Sequence, residues 1–193
     1  MWFKTILRKF MDYKRNRMLF YDCDKYSQRI ANTLYDLHEW KSAGAINIYI
    51  ATGNEVSTKD IIVEAFGTKV IYHPAKKPEH NSSDIDLVIV PGVVFDVNMA
   101  RYGRGLGYYD RFLSKLSGVK VIALAYDFQV SKKELKLDDW DIRMDYIITE
   151  KRIIKKEGYY FYNSIRRSPS EIYNFTCYVF DGQYIITHSI WSR

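Results

Sequence analysis

Five short runs rich in β-branched residues punctuate the first 150 residues: "AINIYIA" (45–51), "KVIYH" (69–73), "DLVIVPG" (86–92), "VKVIALAYDF" (119–128) and "DYIIT" (145–149). Stretches with helical spacing surround them. Residues 2–20 place Phe3, Ile6, Leu7, Phe10, Met11 and Met18 at helical intervals. "DKYSQRIANTLYDLHEW" puts Tyr26, Ile30, Leu34 and Leu37 on one face, and "KDIIVEAF" and "YYDRFLSKL" read as further helices. Apolar runs separated by helices predict a mostly parallel sheet covered on both faces, a Rossmann-like three-layer α/β fold. In such sheets the site lies in loops beyond the carboxyl ends of the strands. Two loops qualify, "TGNEVST" (52–58) and "ARYGRGLGYYD" (100–110), and both follow predicted strands.

Past Gly158 the character changes. "YYFYNSIRRSPSE" precedes "NFTCYVFDGQYIITHSIW", in which Asp181-Gly182 separates two runs of aromatic and β-branched residues. That dipeptide suits a turn with two positive φ angles and predicts a β-hairpin. The organisation expected is an α/β domain over 1–158 and an extension over 159–193.

A chain of 193 residues with 47% hydrophobic content suffices for one domain and its core. The net charge of +6 favours anionic partners such as nucleotides or nucleic acid, and it equally suits a merely soluble surface. Cys23 and Cys177 stand alone and the four histidines are scattered, which argues against a zinc site and fits a reducing compartment. The start is basic and amphipathic but lacks the apolar core and cleavage site of a signal peptide. No apolar run is long enough to span a bilayer. The expectation is a cytoplasmic protein with no membrane partner and an open oligomeric state.

The segment "ARYGRGLGYYDRFL" (100–113) sets Gly103, Gly105 and Gly107 among Arg101, Arg104 and Arg111. Glycine lets a backbone approach a ligand closely, and successive N–H groups then face an anion. Arg101 and Arg104 would add charge-assisted hydrogen bonds, and Asp110 would suit a magnesium ion on phosphates. The alternative is an ordinary strand-to-helix turn with Asp110 and Arg111 in solvent. The spacing is neither GxGxxG nor the P-loop pattern.

The longer stretch "VPGVVFDVNMARYGRGLGYYDRFL" resembles the signature of the 5-formyltetrahydrofolate cyclo-ligase family, the methenyltetrahydrofolate synthetases. Pro91, Gly92, Phe95, Asp96, Arg101, Gly103, Gly105, Gly107, Tyr108, Tyr109, Asp110 and Arg111 fall in register. The likeness runs from about residue 4 to 152. "KTILR" supplies Lys4 and Arg8, "NEVST" supplies Glu55, Val56 and Thr58, and "YDFQV" and "DDWDIRMDYIITE" match near the end, with Trp140 where histidine is usual.

The resemblance implies an ATP- and Mg2+-dependent cyclisation of 5-formyltetrahydrofolate to 5,10-methenyltetrahydrofolate. It assigns ATP to Lys4, Arg8, Arg101, Tyr102, Gly103, Arg104, Gly105, Leu106, Gly107, Tyr108 and Tyr109. Arg101 and Tyr108 would serve catalysis, Glu55, Val56 and Tyr108 would meet the folate, and Asp110 and Asp141 would hold magnesium. Two departures stand out. Only "AKKPEHNSSDI" separates the second and third strands, where the family carries a longer insert lining the folate pocket. The segment beyond Gly158 lies outside the family core; its Arg166-Arg167 and tyrosines would suit nucleic acid by charge and stacking, while such a hairpin more often extends a sheet or makes an oligomer contact. The rival reading is a non-catalytic homologue that keeps the fold and nucleotide binding and serves an RNA or protein partner.

Overall fold

In the computed structural model, which describes residues 2–73, 84–155, 158–161, 174–180 and 183–189, alternate residues of the central strands are buried on opposite faces of one sheet. The strands are β1 (Ala45–Ile48), β2 (Val70–Tyr72), β3 (Leu87–Val90), β4 (Val94–Asp96), β5 (Arg101–Tyr102), β6 (Lys120–Leu124), β7 (Val130–Ser131), β8 (Tyr146–Ile148), β9 (Arg152–Lys155), β10 (Gly158–Phe161), β11 (Asn174–Phe180) and β12 (Gln183–Ser189). The helices are α1 (Trp2–Asn16), α2 (Phe20–Asp36), α3 (His38–Ser42), α4 (Lys59–Ala65) and α5 (Tyr108–Leu113).

The main sheet runs β10-β9-β8-β6-β3-β1-β2. β2, β1, β3, β6 and β8 pair in parallel, while β9 and β10 pair antiparallel at one edge. Leu87 and Ile89 of β3, Ile122 and Leu124 of β6, and Ile148 of β8 pack with Ile30 and Leu34 of α2 and Ile61 of α4. Val88 and Val90, Val121 and Ala123, and Ile147 face the other way, toward Phe95 and Phe112. Burial on both sides is why these strands read as unbroken apolar runs. The chain goes from β1 outward to β2 and then returns to β3 on the far side. The order therefore reverses between β1 and β3, and a crevice opens beyond their carboxyl ends.

Several boundaries differ from the sequence expectation. The first helix stops at Asn16, and α2 already begins at Phe20. The second helical stretch breaks at Leu37, whose extended backbone (ψ 141°) separates α2 from α3. A second sheet, β5-β4-β7, was not anticipated. The loop expected from Ala100 to Gly107 is thus partly a strand, with Arg101 and Tyr102 antiparallel to Phe95 and Val94. These strands have two or three residues each, too few to show a period. β11 and β12 pair antiparallel as the hairpin expectation required; Asp181 and Gly182 themselves fall outside the described residues. So does most of the shortened segment, residues 74–83. Among the described residues no helix is long and apolar enough to cross a membrane.

Gly92 has a packing role that no backbone angle explains. A Cβ there would sit 2.2 Å from Cζ of Phe95, whose ring is fully buried. Its carbonyl also accepts hydrogen bonds from Arg15 (3.3 Å) and Gln129 (3.1 Å). Overpacking of this kind costs on the order of 3 kcal/mol where the neighbour cannot move. Gly92→Ala is expected to lower Tm by roughly 6–12 °C at this chain length. Gly44→Ala is the control, since its Cβ would meet nothing nearer than 3.6 Å. Equal melting of the two variants would contradict this packing role.

Candidate functional site

A cavity of about 720 Å3 lies at the switch point between β1 and β3. Every site residue expected from the sequence lines it except Val56. Val56 is 2% exposed and packs in the core beneath the site, where its carbonyl accepts a hydrogen bond from the Tyr49 hydroxyl (2.7 Å).

One wall is the glycine loop, and its shape begins at Asp96. This carboxylate is fully buried and accepts hydrogen bonds from three backbone amides: Asn98 (2.9 Å), Ala100 (2.9 Å) and Leu135 (2.7 Å). It pins the turn through Met99, whose φ of 68° is left-handed, and so directs the chain into Arg101. Farther along, Gly105 and Gly107 have φ of 93° and 59°, values costly for any residue with a Cβ. Gly103 meets the Arg101 guanidinium, 2.7 Å from where a Cβ would be. The glycines thus let the loop fold back over its own arginines.

Arg101 is 5% exposed, and its guanidinium bonds both oxygens of Asp110 (3.1 and 3.2 Å). It also lies 5.5 Å from the Tyr109 ring centre. Its Nε is buried with no hydrogen-bond partner. Asp110 is therefore not a solvated loop carboxylate: its side chain is 15% exposed, and it also accepts from the Ile142 amide at 3.4 Å. That amide follows Asp141 directly, so the turn carrying Asp141 packs against Asp110.

Helix α1 lays two cations across the loop. Lys4 and Arg8, one turn apart, flank the Tyr102 ring at 5.1 and 5.4 Å. Arg8 Nε donates to the Gly103 carbonyl (2.8 Å) and, among the described residues, Arg8 pairs with no carboxylate. Lys4 bonds Asp138 at 2.7 Å and lies 3.6 Å from Asp141. Partial burial pulls the Lys4 pKa down, but the bond to Asp138 and the charges of Asp141 and Asp138 outweigh it and hold the ammonium above its ordinary value. Burial pushes the Tyr108 and Tyr109 hydroxyls up, so both keep their protons at neutral pH.

The other wall is the 52–58 loop. Glu55, with a side chain only 9% exposed, accepts from Arg104 (2.8 Å) and from the Thr52 amide and hydroxyl (3.0 and 3.2 Å). Arg15 approaches the same carboxylate at 4.0 Å. Asn54 donates to the carbonyls of Arg15 and Met18, and the Tyr126 hydroxyl donates to the Glu55 carbonyl. Arg104 ties the two loops together by also reaching Thr52 (2.9 Å).

Sequence reasoning missed several wall residues. His73 borders the cavity with Nδ1 3.1 Å from the Ile48 carbonyl. A carbonyl only accepts, so Nδ1 carries a proton. Exposed Ile50 was missed too; with Leu106 and Trp140, which the sequence had named, it gives the rim an apolar character. A strand end and a rim hydrophobe have no motif of their own. Only their position beside the two loops marks them.

Lys4, Arg8, Arg101 and Arg104 thus share one cavity with Glu55, Asp110, Asp138 and Asp141. Among the described residues no three His, Cys, Asp or Glu side chains form a metal cage. Two carboxylates plus phosphate oxygens are nevertheless the donor set magnesium takes beside a nucleotide, so Asp110 and Asp141 fit it.

Comparison with known proteins agrees with this geometry. A profile of the 5-formyltetrahydrofolate cyclo-ligase family matches residues 66–150. A 5-formyltetrahydrofolate cyclo-ligase of Mycoplasma genitalium is 32% identical over 163 residues, covering 75% of this chain and 96% of the relative. A probable 5-formyltetrahydrofolate cyclo-ligase of Schizosaccharomyces pombe is 25% identical over 198 residues, covering 79% and 97%. The 5,10-methenyltetrahydrofolate synthetase of Aquifex aeolicus superposes with a TM-score of 0.72 at 26% identity, covering 86% of this chain and 97% of that one. That of Mycoplasma pneumoniae gives 0.69 at 26%, covering 77% and 99%. With so similar a relative aligned over nearly all of its own length, the chain belongs to the 5-formyltetrahydrofolate cyclo-ligase family.

Proposed function

We propose that the protein closes 5-formyltetrahydrofolate to 5,10-methenyltetrahydrofolate with conversion of ATP to ADP and phosphate. The formyl oxygen attacks the γ-phosphorus and ADP leaves. Nitrogen N10 then attacks the activated formyl carbon and loses its proton, and the C–O bond breaks to release phosphate. No protein nucleophile is needed; the work is placement and charge neutralisation.

The observation that carries this reading is the convergence of Lys4, Arg8 and Arg101 on one cavity wall with Glu55 on the other. Arg8, which pairs with no carboxylate among the described residues, and the loop amides are placed to receive ATP phosphates. Magnesium held by Asp110 and Asp141 would supply charge neutralisation between the phosphates. Committing Asp110 to the metal would release Arg101, its present partner, toward the anion, while Lys4 keeps its bond to Asp138. Tyr108, protonated at neutral pH as any tyrosine and more firmly so through burial, is a hydroxyl donor for the developing phosphate charge. Glu55 faces the folate from the opposite loop.

ATP with magnesium binds only the folded state and therefore stabilises it by about 2.7 kcal/mol at a hundredfold excess over Kd. That corresponds to a Tm rise of roughly 5–10 °C at this length. The expected result in a thermal-shift experiment is a rise with ATP and magnesium together that exceeds the rise with either alone. No rise would refute nucleotide binding at this site.

The segment beyond Gly158 begins as β10, at the sheet edge four strands away from β3, and β10 is therefore left out of the proposed folate site.

A further inference from the structure

Helix α1 buries one face and leaves another bare. Leu7 and Met11 pack on Val93, Val94 and Tyr102, while Lys4 and Arg8 turn to the cavity. On the outer side Trp2 (83% exposed), Ile6 (46%), Phe10 (54%) and Tyr13 (58%) recur at steps of four and three residues. This is a single stripe along the helix. Leu19 (70%), Phe20 (86%) and Tyr21 (71%) continue it over the turn into α2. Scattered surface hydrophobes need no explanation, but a contiguous apolar stripe does.

Along α1 the charges that frame this stripe have one sign, whereas in α2 Asp22 and Asp24 stand beside Tyr21 together with Lys25. At 100° per residue, exposed Lys9 and Lys14 fall on its two flanks and Arg17 continues its end. Lys14 lies 5.7 Å from the Phe10 ring centre and Arg17 lies 5.4 Å from that of Tyr13. Lys25 lies 5.9 Å from the Tyr21 ring. The helix's one acid, Asp12, is turned away to Arg15 at 2.7 Å. A second copy docked face to face would oppose lysine with lysine. Nucleic acid calls for cations at the centre of a face, whereas here the centre is apolar and the cations form the rim. That pattern, with tryptophan and tyrosine beside lysine, belongs to helices that lie in the plane of a lipid–water interface.

We infer that this face docks reversibly on an anionic membrane surface, the apolar stripe entering the headgroup boundary and Lys9, Lys14, Arg17 and Lys25 meeting lipid phosphates. The docking is peripheral and independent of the reaction, since none of these residues lines the cavity.

The test is co-sedimentation of the full-length protein with vesicles of phosphatidylcholine alone and of phosphatidylcholine mixed with phosphatidylglycerol. Binding is expected to the mixed vesicles only and to weaken with salt. Lys9→Gln with Lys14→Gln should reduce partitioning on the order of 30-fold, each surface cation contributing about fivefold. Phe10→Ser should reduce it about tenfold. Both variants should keep the thermal shift with ATP and magnesium, which separates lost docking from lost folding. Failure of the parent protein to bind mixed vesicles would overturn the inference. Three other outcomes would overturn it as well: parental binding by Phe10→Ser, a concentration-dependent dimer abolished by Phe10→Ser, or displacement from vesicles by short RNA.

Discussion

Arg101→Ala is expected to lower kcat about a thousandfold or more, the effect of removing a guanidinium that neutralises a transferring phosphoryl group. It should also weaken the thermal shift with ATP strongly. The same change strands Asp110, 15% exposed in its side chain, without its cation. Breaking a buried pair from one side costs about 3–5 kcal/mol, so the variant will melt earlier as well. Arg101→Lys separates the two effects. It keeps a charge beside Asp110 but lacks the planar, multi-donor guanidinium that suits a phosphoryl group. Its melting should recover most of the loss while its turnover stays low. Full turnover by Arg101→Lys would show that Arg101 serves the fold and not the phosphate.

The second large effect concerns Asp141. Asp110→Asn is the obvious magnesium test, but the structure makes it a poor one, because it leaves buried Arg101 unpaired. Asp141 is cleaner. Its partner Lys4 keeps a shorter contact to Asp138, 2.7 Å against 3.6 Å. Asp141→Asn should therefore melt near the parent temperature and still demand much more magnesium. The expected increase in half-saturating magnesium is about 100-fold or greater, the upper end of what losing even an outer-shell partner costs. An unchanged magnesium dependence would remove Asp141 from the metal site.

Much of the fold was readable in the sequence because β1, β3, β6 and β8 are buried on both faces and so appear as unbroken apolar runs. Turn positions were readable where glycine is demanded by geometry, as at Gly105 and Gly107 with their left-handed φ. The small sheet was not, since β5 and β7 hold two residues each. Nor was the break at Leu37, where an apolar residue continues the helical period but the backbone does not. Sequence reasoning assigned Asp96 and Arg15 no structural role, yet they are fully buried and 5% exposed. Asp96 is satisfied by backbone amides up to 39 residues away. Arg15, bound to Asp12 on its own helix and with its Nε buried without a partner among the described residues, also reaches the Gly92 carbonyl 77 residues away. No local pattern encodes such partners.

For the site, the motif named the loop residues but not their present partners. Arg104 was expected on phosphate and instead binds Glu55 and Thr52. Asp110 was read as either a metal ligand or a solvated carboxylate, and it holds Arg101. In both cases a group chosen for its charge has found an opposite charge, Arg104 across the cavity and Asp110 within its own wall. That exchange is what ligand binding would have to reverse.

The central claim is tested most directly by incubating the full-length protein with 5-formyltetrahydrofolate, ATP and magnesium and following the absorbance of the methenyl product against ADP released. The account predicts one methenyltetrahydrofolate per ADP, with no product when ATP or magnesium is withheld. ATP binding with no methenyl formation under any condition would contradict it and leave a homologue that keeps the nucleotide site for another purpose.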